Sequence, residues 1–376
     1  MPVEARDSSW SSVPTADSVA SMRDRVRRRR RSRLWKLALL VALLLGAMAA
    51  GLTIGPVRID AREFGALLLD WAGGSSATAV SESSRLVVEQ IRLPRVLMGA
   101  LIGASLAVAG AAMQGLFRNP LADPGLIGIS AGAALGAVGV IVLGHRVFPH
   151  FPPAIAPYLL AISAFLGSFV ATVVIYRLSL HDGKPVVATM LLAGVAVNAL
   201  AGALTAFLTF FATDQQVRDV TFWLLGSLGG TTWMKVAIVT PCVLVGLTLI
   251  PLTGRALNAL LLGEAEAMHL GFDIARTKTL VILFTALMVG AAVAFSGVIG
   301  FVGLMVPHVI RLAAGPDHRF LLPASAVLGA ALLVTADLVA RCVVAPAELP
   351  IGILTAVLGA PFFLWLLLRT KAAWQP

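Results

Sequence analysis

The chain has 376 residues, of which 58% are hydrophobic and only 13% charged, and its mean hydropathy is +0.91. A soluble domain carries about 25% charged residues, so a soluble globular fold is excluded. Two cysteines, Cys242 and Cys342, each lie in or beside an apolar run, which excludes a disulfide framework and leaves them as small apolar filler.

Apolar runs of about 20 residues recur along the chain, the length that crosses ~30 Å of hydrocarbon. Backbone amides in lipid must be paired within their own segment, so these runs are helices. The alternating segments of about ten residues that mark a membrane β-barrel are missing. The expectation is an all-α integral membrane protein.

Residues 1–33 form a polar tail, expected to be disordered and cytoplasmic. Residues 1–36 hold ten Lys or Arg against four acids, a net +6 of the total +10. The run at 23–33, RDRVRRRRRSR, directly precedes the first apolar span. Beside a membrane helix it reads as a cytoplasmic anchor on anionic lipid, not as a nucleic-acid site. A signal peptide is a weaker reading still, because the apolar stretch that follows is long and no clear cleavage site ends it.

Span one covers about 34–54, and a polar segment, 55–89, follows. Span two is 93–117, span three 125–143, span four 154–178 and span five 186–212. A short apolar piece at 221–229 cannot cross. Span six is 233–252, and a polar stretch at 253–278 separates it from the run 279–312. That run is too long for one helix and contains Gly297, Gly300, Gly303 and Pro307. It reads as span seven, a turn and a shorter span eight. Span nine is 321–344 and span ten 351–368, so residues 34–372 make one ten-helix domain.

Ten spans bring both termini to one side, and the basic tail assigns that side to the cytoplasm. Arg118, Lys184, Arg255, Arg276, Lys278, Arg311, Arg319 and Arg369 then fall inside. Arg58, Arg62, Arg85, Arg92, Arg95, Arg146, Arg218 and Arg341 fall outside and need a reason. Gly99-x-x-x-Gly103 and Gly132-x-x-x-Gly136 are spaced for close helix packing.

No GxxxxGK[ST] phosphate loop occurs, and the Gly183-Lys184 pair precedes Pro185. No HExxH, GxSxG or Cys/His cluster occurs either. The chain is expected to be no enzyme and to hold no permanent cofactor; ATP and Mg would be used by a partner chain.

The segment 91–134, IRLPRVLMGALIGASLAVAGAAMQGLFRNPLADPGLIGISAGAA, resembles the FecCD-type permeases, the membrane subunits of ABC importers for haem, ferric siderophores and cobalamin. Further blocks agree: LLAGVAVNAL (191–200), WLLGSLGG (223–230), LNALLLGEAEAMHLG (257–271), SGVIGFVGLMVPHVIRL (296–312), DHRFLLP (317–323) and APAELPIGILTAVLGAPFFLWLLLR (345–369). The resemblance covers about 34–369; the long basic tail departs from it. It implies a ten-helix, cobalamin-permease-like (type II ABC importer) fold in a bacterial inner membrane. It also implies a second copy of the chain, two ATPase subunits beneath and a periplasmic substrate-binding protein outside.

The resemblance further implies roles for particular residues. Arg92, Arg95 and Arg341 would dock the binding protein through an outward-facing basic patch; the alternative is arginines at the lipid interface, and Asp337 is spaced to pair with Arg341 within the helix. Asn119 and Leu121, in RNPLADP, would form part of a cytoplasmic gate, with the 184–188 turn as companion. The stretch 257–271, with Leu257, Leu260, Leu261, Gly263, Glu264, Met268 and Gly271, would lodge in a groove of the ATPase; a helix lying on the membrane surface is the alternative. His308 reads as structural rather than as a haem ligand. His145 and His150 lie in an outer turn where an arriving haem could meet them.

The match to GLFRNPLADPGLIGISAGAALGA and to DQQVRDVTFWLLGSLGG (214–230) favours haem over siderophore and cobalamin as cargo. A reading from another class, a secondary transporter needing no ATPase, usually requires ionisable groups deep in the bundle. Asp337 is the only acid well inside a span.

Overall fold

Fifteen α-helices carry the described part of the chain, because in lipid each segment must satisfy its own backbone. The structure is a computed structural model that describes residues 16–55, 57, 59–74, 80–147, 152 and 155–372. In chain order the helices are α1 (Ala16–Thr53), α2 (Ala61–Trp71), α3 (Glu82–Leu86), α4 (Leu93–Phe117), α5 (Ile129–Val147), α6 (Leu159–Leu178), α7 (Val187–Phe210) and α8 (Asp214–Leu225). Then come α9 (Trp233–Leu249), α10 (Gly254–Leu260), α11 (Glu264–His269), α12 (Ile274–Ser296), α13 (Val302–Ala314), α14 (His318–Val343) and α15 (Ile351–Ala372). A two-stranded hairpin, β1 (Leu180–His181) and β2 (Lys184–Pro185), joins α6 to α7, with Leu180 opposite Pro185 and His181 opposite Lys184.

Among the described residues eight helices are long and apolar enough to cross a membrane, and two further apolar helices, α13 and the described apolar part of α15, are shorter. They occur where the hydropathy predicts them. α4 reproduces 93–117 residue for residue, and the run 279–312 breaks at Gly297–Phe301, where both residues take positive φ.

Three expectations need correction. α1 begins at Ala16, so from there on the expected disordered tail is helical. Arginine is a good helix former, and the ladder of the membrane span propagates back through it. Residues 1–15 lie outside the described residues, as do Arg58 and His150. The polar segment after α1 contains a second helix, α2, and span two starts early, through α3 and a π-helical turn at Val87–Arg92. The first half of the short apolar piece at 221–229 is the end of the amphipathic α8, started by a capping box in which Thr213 and Gln216 satisfy each other's backbone amides.

The centre of the bundle is α4, buried without interruption from Ile102 to Phe117 and packed by α9, α12, α13 and α14. Lipid supplies no hydrophobic drive between helices, so close approach through small residues takes over. A Cβ at Gly110 would overlap the Gly303 carbonyl of α13, and one at Gly103 would overlap the Gly329 carbonyl of α14. Gly99, by contrast, has no backbone in overlap: a Cβ there would meet the Leu228 side chain at 3.3 Å and Val334 of α14 at 3.6 Å. The second glycine pair works at both positions: Gly132 and Gly136 meet the backbone of α6. α7 and α15 leave apolar faces uncovered, including Leu192, Val195, Phe207 and Phe210 on α7 and Val357 and Leu364 on α15.

Gly110→Ala is expected to destabilise the detergent-solubilised protein by about 1–3 kcal/mol, because the new methyl must displace backbone. Gly139→Ala, in α5 with open space around it, serves as the neutral control. Equal melting temperatures for the two variants would contradict the packing just described.

Candidate functional site

The bundle has two ends, and each gathers part of the expected machinery. At the end remote from the basic tail, Arg92 turns back onto the C-terminus of α1. Its Nη1 donates to the carbonyls of Leu52 and Thr53, both at 2.8 Å, and its Nη2 donates to Val57 O. The last carbonyls of a helix have no partner within it and carry partial negative charge, so a guanidinium is a fitting cap. Arg341 Nη2 donates to Gly51 O of the same helix.

Arg95 enters a bidentate pair with Asp337 of α14. Its Nε lies 3.0 Å from both carboxylate oxygens and its Nη2 2.8 Å from Oδ1. Glu348, in the connection before α15, accepts from Nη1 at 2.7 Å and from Nη2 at 3.1 Å. Asp337 thus joins two helices and does not close an intrahelical pair with Arg341.

The expected outward-facing basic patch is therefore not formed. Arg92, Arg95 and Arg341 are 3%, 8% and 5% exposed. Their charges face carbonyls and carboxylates inside the protomer, because a guanidinium at the edge of a low-dielectric bundle gains most from partners that stay in place. The exposed member of the cluster is Glu348; as a single acid in a connecting segment it carries no sequence signal of this place.

At the tail end, RNPLADP makes a rigid turn between α4 and α5. Arg118 ends α4 in the left-handed region, at φ 49°. Asn119 Oδ1 accepts from the Leu121 amide at 2.9 Å, and Asp123 Oδ1 accepts from the Gly125 amide at 2.8 Å. Burial pushes the Asp123 carboxyl above its ordinary range, against the pull of the Gly125 amide. Leu121 is exposed, and Asn198 of α7 donates to Gly125 O at 3.1 Å, tying α7 to the turn.

The stretch 257–271 comprises α10 and α11, broken by Gly263 at φ 138° and ended by Gly271 at φ 85°. Its apolar residues divide between two faces. Leu257 and Leu260 are buried against the bundle, so they anchor the segment and offer nothing to a partner, contrary to expectation. Leu261, Leu262, Met268 and Leu270 are exposed. Glu264 accepts from the buried Lys278 of α12, with Nζ 2.8 Å from both carboxylate oxygens. Just before the expected companion gate, 184–188, Asp182 and Gly183 take positive φ at the tip of the β1–β2 hairpin.

The basic helix is attached at this end. Arg33 Nη1 donates to Asp317 Oδ2 at 2.7 Å, and Lys36 Nζ donates to Ala313 O at 2.7 Å. Asp317 also accepts from Asn258 of α10 at 2.7 Å and caps α14 through the Arg319 amide. Burial alone would raise the Asp317 carboxyl, but the bonds from Asn258 and Arg33 outweigh it and hold the group below its ordinary range.

His308 lies edge-on to Phe362, 5.9 Å between ring centres, with neither ring nitrogen hydrogen-bonded. His145 is exposed. Among the described residues no three His, Cys, Asp or Glu come together to hold a metal ion.

Residues 39–369 match the FecCD transport family. The chain belongs to that family. Among relatives of this FecCD protein, the hemin transport system permease protein HmuU of Yersinia pestis is 50% identical, over 75% of this chain and 83% of its own length. The cobalamin import system permease protein BtuC of Halobacterium salinarum is 46% identical, over 77% of this chain and 75% of its own. The vitamin B12 import system permease protein BtuC of Klebsiella pneumoniae is 39% identical, over 91% and 96%. A solved inward-facing conformation of a metal-chelate type ABC transporter superposes with a TM-score of 0.76 at 32% identity, covering 89% of this chain and 98% of that one. The FecCD protein is thus a polytopic transport subunit of known fold.

Two measurements test the ion networks. Asp337→Ala removes the buried partner of Arg95 and leaves its guanidinium only the half-exposed Glu348, which should cost up to about 3–5 kcal/mol, whereas Arg95→Met with Asp337→Leu should recover most of it. Unfolding of the three proteins in detergent decides; no recovery in the double variant would refute the pairing account. For Asp317 the folded pKa is depressed, so its contribution is present above the unfolded value of about 3.9 and is lost as pH falls through the folded value. The melting-temperature gap between wild type and Asp317→Asn should be full near neutral pH and close below about pH 4. A gap independent of pH would contradict this.

Proposed function

We propose that this FecCD protein is the membrane-spanning permease of an ABC importer and that its cargo is haem, moved from periplasm to cytoplasm. The observation that carries the haem reading is the 50% identity to the hemin permease of Yersinia pestis over three quarters of the chain. The second reading is cobalamin, favoured by relatives that are 46% and 39% identical.

In this reading the chain lies multi-pass in a bacterial inner membrane with its basic tail in the cytoplasm. Two copies meet around the pathway, for which the uncovered apolar faces of α7 and α15 are the natural surfaces. A periplasmic binding protein docks at the Arg92–Arg95–Arg341 end. Docking there depends on the surface that these buried arginines position, including Glu348, and not on three bare positive charges. Two ATPase subunits, which use the ATP and Mg2+, receive the exposed Leu261, Leu262, Met268 and Leu270 in a groove. Asn119 and Leu121 stand in the cytoplasmic gate, a place that suits a rigid turn with one exposed leucine.

Reconstitution in liposomes with the cognate ATPase and binding protein tests the proposal. Haem-loaded binding protein should stimulate ATP hydrolysis and uptake more than cobalamin-loaded or siderophore-loaded protein. Preferential stimulation by cobalamin would replace the haem reading by the second one. Uptake without any ATPase would return the chain to the secondary-transporter class.

A further inference from the structure

Lys278 stands in the second turn of α12, 3% exposed, and its ammonium has its three hydrogens fully committed. Two go to the Glu264 carboxylate of α11, at 2.8 Å each, and the third to Pro185 O of the β1–β2 hairpin, at 3.1 Å. Three separate elements thus converge on one atom: the ATPase-facing segment, the hairpin that leads into α7, and the membrane helix α12.

Around this atom the packing is open. A cavity of about 510 Å3 separates the hairpin from α11, lined by His181, Asp182 and Lys184 on one side and by Met268, Phe272 and Asp273 on the other. Displacement of α11 therefore reaches the hairpin through Lys278 and not through a packed apolar interface. A charge that is nearly fully buried cannot simply be released, since an unpaired ammonium there is strongly disfavoured. The bridge moves as a unit or the local structure opens.

We infer that Lys278 is a positioning residue for transport: it links the ATPase-facing α11 to the α6–α7 hairpin, so that movement of one is delivered to the other. The inference rests on the importer reading above. Its chemistry is plain. The ammonium offers one donor to a carbonyl and two to a carboxylate, and the neighbouring cavity leaves room for the two elements to shift together. α7, which the hairpin sets in place, is also bonded through Asn198 to the RNPLADP turn, so a shifted hairpin acts on the expected gate.

The test uses the full reconstituted complex with haem as probe and cobalamin as second probe, reading cargo taken up per ATP hydrolysed. Lys278→Met alone strands Glu264, so the informative protein is Lys278→Met with Glu264→Gln, in which no charge is left unpaired. Its uptake per ATP, read on complex that has retained its ATPase, should fall by at least about threefold, within the range expected for broken coupling. Lys278→Arg can still span carboxylate and carbonyl and should keep the ratio within about twofold of wild type. An assembled double variant with the wild-type ratio overturns the inference. So does an equal loss in the arginine variant, which would mark a packing requirement only. Wild-type complex run in parallel keeps the ideas apart: absence of uptake there overturns the importer reading itself.

Discussion

A guanidinium and a carboxylate set between two membrane helices fix the geometry of the far end of this protein. Arg95 of α4 and Asp337 of α14 are both buried, and each is the other's buried counter-charge in a low-dielectric bundle. Their bidentate contact fixes the rotation of α4 against α14, and the Gly103–Gly329 approach along the same pair of helices depends on that rotation. Glu348 joins the same guanidinium, so the connection into α15 is positioned by it as well. Arg92 and Arg341 extend the arrangement to α1 through its terminal carbonyls. A net of charge-assisted bonds therefore does at this end what apolar packing would do in a water-soluble protein.

Much of the architecture was legible in the sequence because membrane helices are specified by length and hydropathy alone. The break at Gly297–Phe301 could be placed because the largely apolar run 279–312 is too long for one helix in a membrane about 30 Å thick and carries Gly297 and Gly300 at its middle. Two helices were missed for the converse reason. α2 and α8 are amphipathic and sit in polar connections, where hydropathy averages to nothing; the Thr213-x-x-Gln216 cap was the available signal.

The placement of the candidate residues was legible in the sequence, but not their exposure. Arg92, Arg95 and Arg341 stand at the expected end of the bundle, yet the partner of Arg95 lies 242 residues away and that of Arg341 290 residues away. Such pairings leave no local pattern. The same holds for the stretch 257–271. Leu257 and Leu260 look like Leu261 and Leu262 in sequence, and only the neighbouring helices decide which pair is covered. Lys278 was noted as one of several cytoplasmic bases; nothing local marked it as the meeting point of three elements.

Of the eight helices long and apolar enough to cross a membrane, the first is the least buried, yet it is fastened at both ends. Arg33 and Lys36 hold it to the turn before α14, and Arg92 and Arg341 hold its last carbonyls. From Arg33 to Leu52 the rise is about 28 Å at ~1.5 Å per residue, close to the thickness of a hydrocarbon layer. A helix riveted in this way cannot tilt by itself to meet a thinner or thicker bilayer. It works as a fixed gauge, and a mismatched membrane would have to stretch or thin around the whole bundle at that edge.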